Sequence, residues 1–154
     1  MTSETPPAAE LQPDACWRLL RESEIGRLAV LVGNHPEIFP VNYAVDAGTI
    51  VIRTGSGTKL AALAEGPPVA FEIDGYDAAT QVVWSVVVKG RAEVVHGFTQ
   101  LLDTADVPVY PWQPARKNHF VRIVADEVTG RCFRRADQTH WQTETYGSRP
   151  QASE

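Results

Sequence analysis

The sequence predicts a mainly β protein, a curved or closed antiparallel barrel of six or seven short strands with two or three small helices. Three observations predict it. From Gly26 onward, β-rich runs alternate with turn chemistry at Gly33-Asn34-His35-Pro36 and at Asp46-Ala47-Gly48. Residues 81–96 form the longest β candidate, with Trp84, Val86 and Val88 alternating against Ser85, Val87 and Lys89. Helical spacing is confined to short stretches. A barrel suits such a meander because closure removes exposed sheet edges.

In chain order, residues 1–11 are rich in Pro, Ala, Ser and Glu and read as a flexible tail. A helix begins near Asp14, with Pro13 and Asp14 as start signals. Cys16, Leu19, Leu20 and Ser23 share one face, and Ser23 and Gly26 bracket its end. Strands follow at 26–32, 38–45 and 49–54. Residues 58–65 (TKLAALAE) have helix-favouring density and stop at Gly66-Pro67. Strands resume at 69–73 and in the long run 81–96, where Gly90 marks a bend or bulge. A short helix is expected at 97–105, then an irregular stretch set by Pro108, Pro111 and Pro114. Closing strands are expected at 119–125 and 131–134. The domain is thus read as 12–143, with a second tail at 144–154.

With 154 residues, 44% hydrophobic and 21% charged, the chain fits one globular domain. A formal net charge of −5 argues against a general nucleic-acid binder. Cys16 and Cys132 form no CxxC pair or zinc-type cluster, so a reduced, cytoplasmic setting is expected. The start of the chain has no basic and apolar leader pattern, and no window approaches the roughly 18 apolar residues of a membrane span. No membrane or nucleic-acid partner is expected.

The segment IVIRTGSGTKLAAL carries the most chemistry. A strand delivers Arg53 and Thr54, two glycines follow, Thr58 is placed to cap the next helix, and Lys59 lies in its first turn. Such a turn suits an anion, because backbone N–H groups gather at a helix start and glycine lets the backbone approach closely. Arg53 offers a forked donor and Lys59 a point charge. The order does not match the triphosphate loop GxxxxGK[ST]. A polar turn with solvated charges fits the same residues.

Other candidates are weaker. Trp84 and Ser85 point to opposite faces of their strand; each also reads as a core filler and a satisfied hydroxyl. Glu72 and Asp74 alternate with Phe71 and Ile73 and read as an outward strand face, or Glu72 as a partner for Arg53 or Lys59; Tyr43 and Tyr76 read as lining a pocket or covering a barrel end. Of the four histidines, His35 and His96 read as solvated, and His119 is considered as a haem ligand. No Ser-His-Asp order or nucleophile elbow occurs.

The stretches CWRLLRESEIGRLAVL, FPVNYAVDAGTIVIRTGSGTKLAAL, VAFEIDGYD and VWSVVVKGRAEVV, in this order, resemble the pyridoxamine 5′-phosphate oxidase-like family and its small flavin-binding split-barrel members. The resemblance runs from about Asp14 to Arg134. It implies a split β-barrel homodimer with FMN in a groove at the interface. It implies that Arg53, Thr54 and Lys59 hold the phosphate, with Ser56 and Thr58 near it. It places Val41 and Asn42 beside the flavin ring, through backbone atoms. Trp84 and Ser85 lie on the strand that commonly carries a glutamine contact to the cofactor; here that position is Ser85. Trp112 and Arg131 are candidates to approach from the partner. The C-terminal region, GRCFRRADQTHW, lacks the family's Arg-x-His grip on the vitamin phosphate. The expectation is therefore an FMN-dependent oxidoreductase acting on a small molecule other than pyridoxamine phosphate. Its rivals are a flavin or haem carrier or sensor, a deazaflavin-dependent reductase, and an interaction module without cofactor.

Overall fold

The computed structural model describes residues 8–55, 57–95 and 119–135. Helix 97–105, Trp112, His96, His140 and the tail 144–154 lie outside them. The elements run β1 (Ala9–Glu10), α1 (Pro13–Glu22), β2 (Ile25–Val32), β3 (His35–Asp46), β4 (Thr49–Thr54), α2 (Thr58–Ala64), β5 (Pro68–Asp77), β6 (Val82–Val94) and β7 (His119–Arg134).

The seven strands form one antiparallel sheet in the order β1-β7-β4-β3-β2-β5-β6, and β6 also pairs with β7. That last pairing closes a six-stranded ring, with β1 as an outrider on β7. The expected antiparallel barrel is what the chain builds. Its stagger follows from the registers. Carried around the ring from Phe120, with the β3–β4 ladder extended by one residue and the β2–β5 ladder by two, they run through Arg53, Asn42, Ile25, Asp74 and Ser85 and return to β7 at Arg131. Arg131 lies eleven residues beyond Phe120. One of those residues is the bulge, so the strands are sheared by about ten residues and tilt steeply across the barrel axis.

The bulge sits where Gly90 predicted it: Lys89 pairs with Glu127 and Gly90 with Ala125, leaving Asp126 extra. Glycine is required there by close approach, because a Cβ on Gly90 would stand 1.9 Å from the carbonyl oxygen of Val124.

Five boundaries differ from the sequence reading. Residues 74–77 continue β5 instead of leaving it as a loop, because they pair with residues 82–85 of β6. Residues 119–134 are one strand, not two, because its middle pairs with β6 through the bulge. His35 and Pro36 belong to β3 rather than to the turn. Ala9 and Glu10, placed in a tail by composition, pair with Cys132 and Arg131. The cap of α2 is Gly57, at φ 145°, and Thr58 is already helical with no side-chain cap bond. That φ is one that L side chains rarely adopt.

The interior is filled by alternate strand residues and by the helices. Leu28, Ile50, Ile52, Phe71, Ile73, Val86, Val88, Val121 and Ile123 are buried, and α1 adds Cys16 and Leu20 while α2 adds Leu63. Burying such side chains contributes about 1.5–3 kcal/mol each.

Candidate functional site

Strand alternation decides which candidates face outward. On β4, Ile50, Ile52 and Thr54 point into the barrel, and Thr54 is 2% exposed. Its hydroxyl donates to the Gly55 carbonyl oxygen at 3.3 Å. Arg53, between Ile52 and Thr54, therefore faces outward. On β3, Val41 and Tyr43 are buried and Asn42 faces outward between them. Tyr43 pairs with Ile52 at the end of the β3–β4 ladder, and Asn42 and Arg53 adjoin that pair. Val41, Asn42, Arg53 and Thr54 thus meet at one corner, two facing in and two out.

Gly55 follows β4, and Gly57 caps α2. Thr58 and Lys59 open this helix, while Leu60 and Leu63 anchor it on the core. With seven residues, α2 has a small dipole, so the electrostatics of the corner rest on its two cations. The Lys59 ammonium lies over the Phe39 ring, 5.3 Å from its centroid. The Arg53 guanidinium lies over Phe120, its direct cross-strand partner, at 5.7 Å. Neither ring was singled out from the sequence. Ser56 lies outside the described residues.

Trp84 and Ser85 do not join this corner within one chain. Trp84 packs against the core, its ring lying across Gly75, where a Cβ would meet it at 2.3 Å. Ser85 faces outward on the same transverse row as Arg53, but four strands away through β3, β2 and β5. At about 4.8 Å per strand that is roughly 19 Å around the barrel. Arg131 lies next to Ser85 on β7.

Three expected roles change. Glu72 pairs with Arg27 at 3.2 Å rather than with Arg53 or Lys59, because the β2–β5 register sets Arg27 directly opposite it. Asp74 joins this pair at 3.4 Å from Arg27. Burial raises the Glu72 carboxyl above its ordinary range, the Asp74 charge adds to this, and Arg27 opposes it. Tyr43 belongs to the core, its hydroxyl donating to the Leu20 carbonyl oxygen at 2.7 Å. Tyr76 is half exposed under the Arg135 guanidinium. His119 pairs with Thr54 and is exposed, as is His35. Among the described residues no cluster of His, Cys, Asp or Glu could hold a metal ion, and no helix is long and apolar enough to cross a membrane.

A family model described as pyridoxamine 5′-phosphate oxidase matches residues 12–132. The chain belongs to the pyridoxamine 5′-phosphate oxidase-like family. Similar solved structures include a Corynebacterium glutamicum protein assigned by name to the pyridoxamine 5′-phosphate oxidases. It is 36% identical, with a TM-score of 0.75 over 84% of this chain and 100% of that one. An FAD-binding protein of Mycobacterium smegmatis is 36% identical, with a TM-score of 0.71 over 82% of this chain and 100% of that one. An uncharacterized Mycobacterium tuberculosis protein is 32% identical over 131 residues, covering 79% of this chain and 82% of that protein. The barrel is thus the split barrel of this family, and one of the similar structures is that of a protein named for FAD binding.

Proposed function

We propose that the protein binds a flavin nucleotide through its 5′-phosphate at the Arg53–Lys59 corner, and that it works as a homodimeric oxidoreductase on a small molecule other than pyridoxamine phosphate. The observation that carries this reading is the corner itself. A strand end and a helix start carry two cations on either side of Gly57, whose φ of 145° is one that suits glycine. The donor set suits a phosphate: a guanidinium for forked bonds, an ammonium for charge, and the amide groups of the turn. Thr54 faces inward, so it would serve through its backbone. When bound, the flavin would supply the hydride and electron chemistry, and the chain's own residues would bind and orient it.

FMN is the simplest such ligand. FAD carries the same FMN half, and the similarity to a protein named for FAD binding favours including it. Deazaflavin and haem remain the competitors to be tested against it.

The homodimer belongs to the same proposal. Ser85 lies four strands from Arg53, and a partner's strand would bring a second copy of it to the ligand. The outer face also exposes apolar surface suited to such contact: Leu31 is 55% exposed and Ile38 is 68% exposed. Next to them lies a groove of about 340 Å³ lined by Ala29, Leu31, Pro36, Pro68 and Ala70, with Lys89 on its rim.

Titration of the purified protein with FMN, FAD, riboflavin, deazaflavin and haem, followed by absorbance and fluorescence, tests the reading. Arg53→Ala and Lys59→Ala are each expected to weaken FMN binding by roughly 1.5–3 kcal/mol, on the order of ten- to a hundredfold. Riboflavin, which lacks the phosphate, should be insensitive to both changes. A protein that binds none of these cofactors, or variants that bind FMN like the parent, would overturn the assignment. Turnover is tested separately, by following nicotinamide oxidation with the flavin-loaded protein.

A further inference from the structure

We propose that the outward face of β5, β6 and β7 around Tyr76, Val83 and Phe133 is a second binding site, which takes a nucleoside phosphate: the base on the aromatic side chains, the phosphate on Arg135 and Arg131. The site is separate from the Arg53 corner. Phe120 is the cross-strand partner of Arg53, and Phe133 lies far along β7 from it, near the other end of that strand. Tyr76 and Phe133 are each 46% exposed. Ile73 and Val86 are buried, so strand alternation turns Tyr76 and Val83 outward. Val83 is the direct cross-strand partner of both Tyr76 and Phe133. Three outward side chains thus stand in one row, a ring at each end and a short valine between them.

The two ring-bearing strands are two strand spacings apart, about 9.6 Å. A flat ring touching a neighbour on each face needs about 7–8 Å. The row therefore has room for one planar group, with Val83 as an apolar floor. Cations flank it. Arg131 and Arg135 stand on either side of Phe133 in the chain, each about 6.6 Å along from it. The Arg135 amide donates to the Gln81 carbonyl oxygen at 2.7 Å, and its guanidinium lies over the Tyr76 ring, 5.6 Å from the centroid. The nearby acids have other places. Asp74 pairs with Arg27 at 3.4 Å. The Asp77 carboxylate accepts from the Ala79 and Thr80 amides. Glu10 is the cross-strand neighbour of Arg131. Among the described residues none of these three forms an ion pair with Arg131 or Arg135.

This chemistry fits a nucleoside phosphate. Every base has a face that stacks on an aromatic side chain, and arginine pairs with phosphate through a fork. A nucleic-acid strand fits less well, because the row holds one ring and the formal net charge is −5. A second copy of the same patch would set arginine against arginine across a two-fold axis. Two sources could supply the group: the AMP half of FAD, or a free pyridine dinucleotide acting as electron donor. Either would come near a flavin, because the adjoining row, Asp74–Ser85–Arg131, is the one that the homodimer proposed above would bring to it.

The test is calorimetric titration of the full chain with ADP and with adenosine, with thermal melts as a control on folding. Tyr76→Leu and Phe133→Leu keep apolar bulk and remove a ring. Each is expected to weaken ADP binding roughly five- to a hundredfold, the scale of one base–aromatic stack. Arg135→Gln, at an exposed position, should weaken ADP roughly tenfold or more and leave adenosine unchanged. Lys59→Ala should bind ADP like the parent, and the patch variants should bind FMN like the parent. The sources separate in two further arms. If Phe133→Leu loses affinity for FAD but not FMN, the AMP half of FAD is the occupant. If it raises KM for the nicotinamide donor with FAD affinity unchanged, the free dinucleotide is. A parent that binds no ADP, or patch variants that bind it like the parent, would overturn the inference. So would loss of ADP binding in Lys59→Ala alone, which would put the nucleotide in the corner. A dimer that dissociates in Phe133→Leu with ADP binding intact would also overturn it, making the patch a contact between copies. ADP binding here by a protein that binds no flavin would sink the flavin reading and leave this site standing.

Discussion

Replacing Tyr43 by Phe removes one oxygen atom from the junction that fixes the central part of β3. The Tyr43 amide donates to the Glu24 carbonyl oxygen at 3.2 Å, and its hydroxyl donates to the Leu20 carbonyl oxygen at 2.7 Å. Leu20 lies in the last turn of α1, where carbonyl groups run out of helical partners, so the hydroxyl serves as a side-chain cap. The residue is 4% exposed, and its ring meets Phe71 edge-on with centroids 4.7 Å apart. Phenylalanine keeps that packing and opens no cavity. The cost is then one buried hydrogen bond and an unsatisfied carbonyl, about 1–3 kcal/mol. For a chain of this size, that lowers the melting temperature by roughly 2–12 °C. A pH series adds a second readout. Burial raises the Tyr43 phenol to about 12, against an ordinary value of about 10. A raised acid favours the folded state while it stays protonated. Its contribution is therefore fully present below pH 10 and is lost as pH rises toward 12. The parent should lose more stability across that window than Tyr43→Phe does. One of the chain's four tyrosines should also titrate late in the ultraviolet spectrum. A variant as stable as the parent, or an ultraviolet titration that loses no late-titrating phenol in Tyr43→Phe, would refute the reasoning.

Three other perturbations are expected to be informative. Gly90→Ala should destabilise by roughly 1–3 kcal/mol or more in urea unfolding, because its Cβ would meet the Val124 backbone rather than a movable side chain. Arg122→Ala should cost about 1.5–3 kcal/mol in the same assay: it removes two 3.0 Å bonds to one Asp46 carboxylate oxygen and a 2.6 Å bond to the Thr49 hydroxyl. Arg122→Lys should recover only part of that loss, lacking the fork. Leu31→Glu with Ile38→Glu should yield a folded monomer in light scattering with sharply reduced flavin affinity; an unchanged dimer would move the proposed interface off this face.

Much of the barrel is legible in the sequence because its strands are short, amphipathic and punctuated by turn residues. The failures are specific. Asp126-Glu127-Val128-Thr129-Gly130 has turn composition, yet it lies inside β7 because the β6 ladder engages it on both sides of a bulge. Local chemistry there loses to tertiary pairing. Ala9 and Glu10 make two pairs and carry no pattern of their own. At the site, Arg53 and Lys59 were readable because they are close in the chain, on either side of a glycine turn. Phe39 and Phe120 were not, because what brings them under the cations is the placement of β3 and β7, not their own sequence neighbourhood. The same limit left Glu72 open between an outward strand face and a partner for Arg53 or Lys59; the register hands it to Arg27.

The shear of the barrel gives this division a physical basis. With six strands staggered by about ten residues, a row of outward side chains winds around the barrel and does not gather on one side. Arg53 and Ser85 share a row, yet the row carries them to different faces. The phosphate corner is therefore built from one stretch of chain, whereas groups that would touch the far part of a bound flavin must come from another face or another copy. Under the proposed homodimer, a substitution at Arg53 or Lys59 should change how tightly the cofactor is held. A substitution at Ser85 or Arg131 should instead change which molecule can approach it. Under that proposal the corner would set the ligand class, and the face carrying Ser85 and Arg131 would set specificity for a substrate.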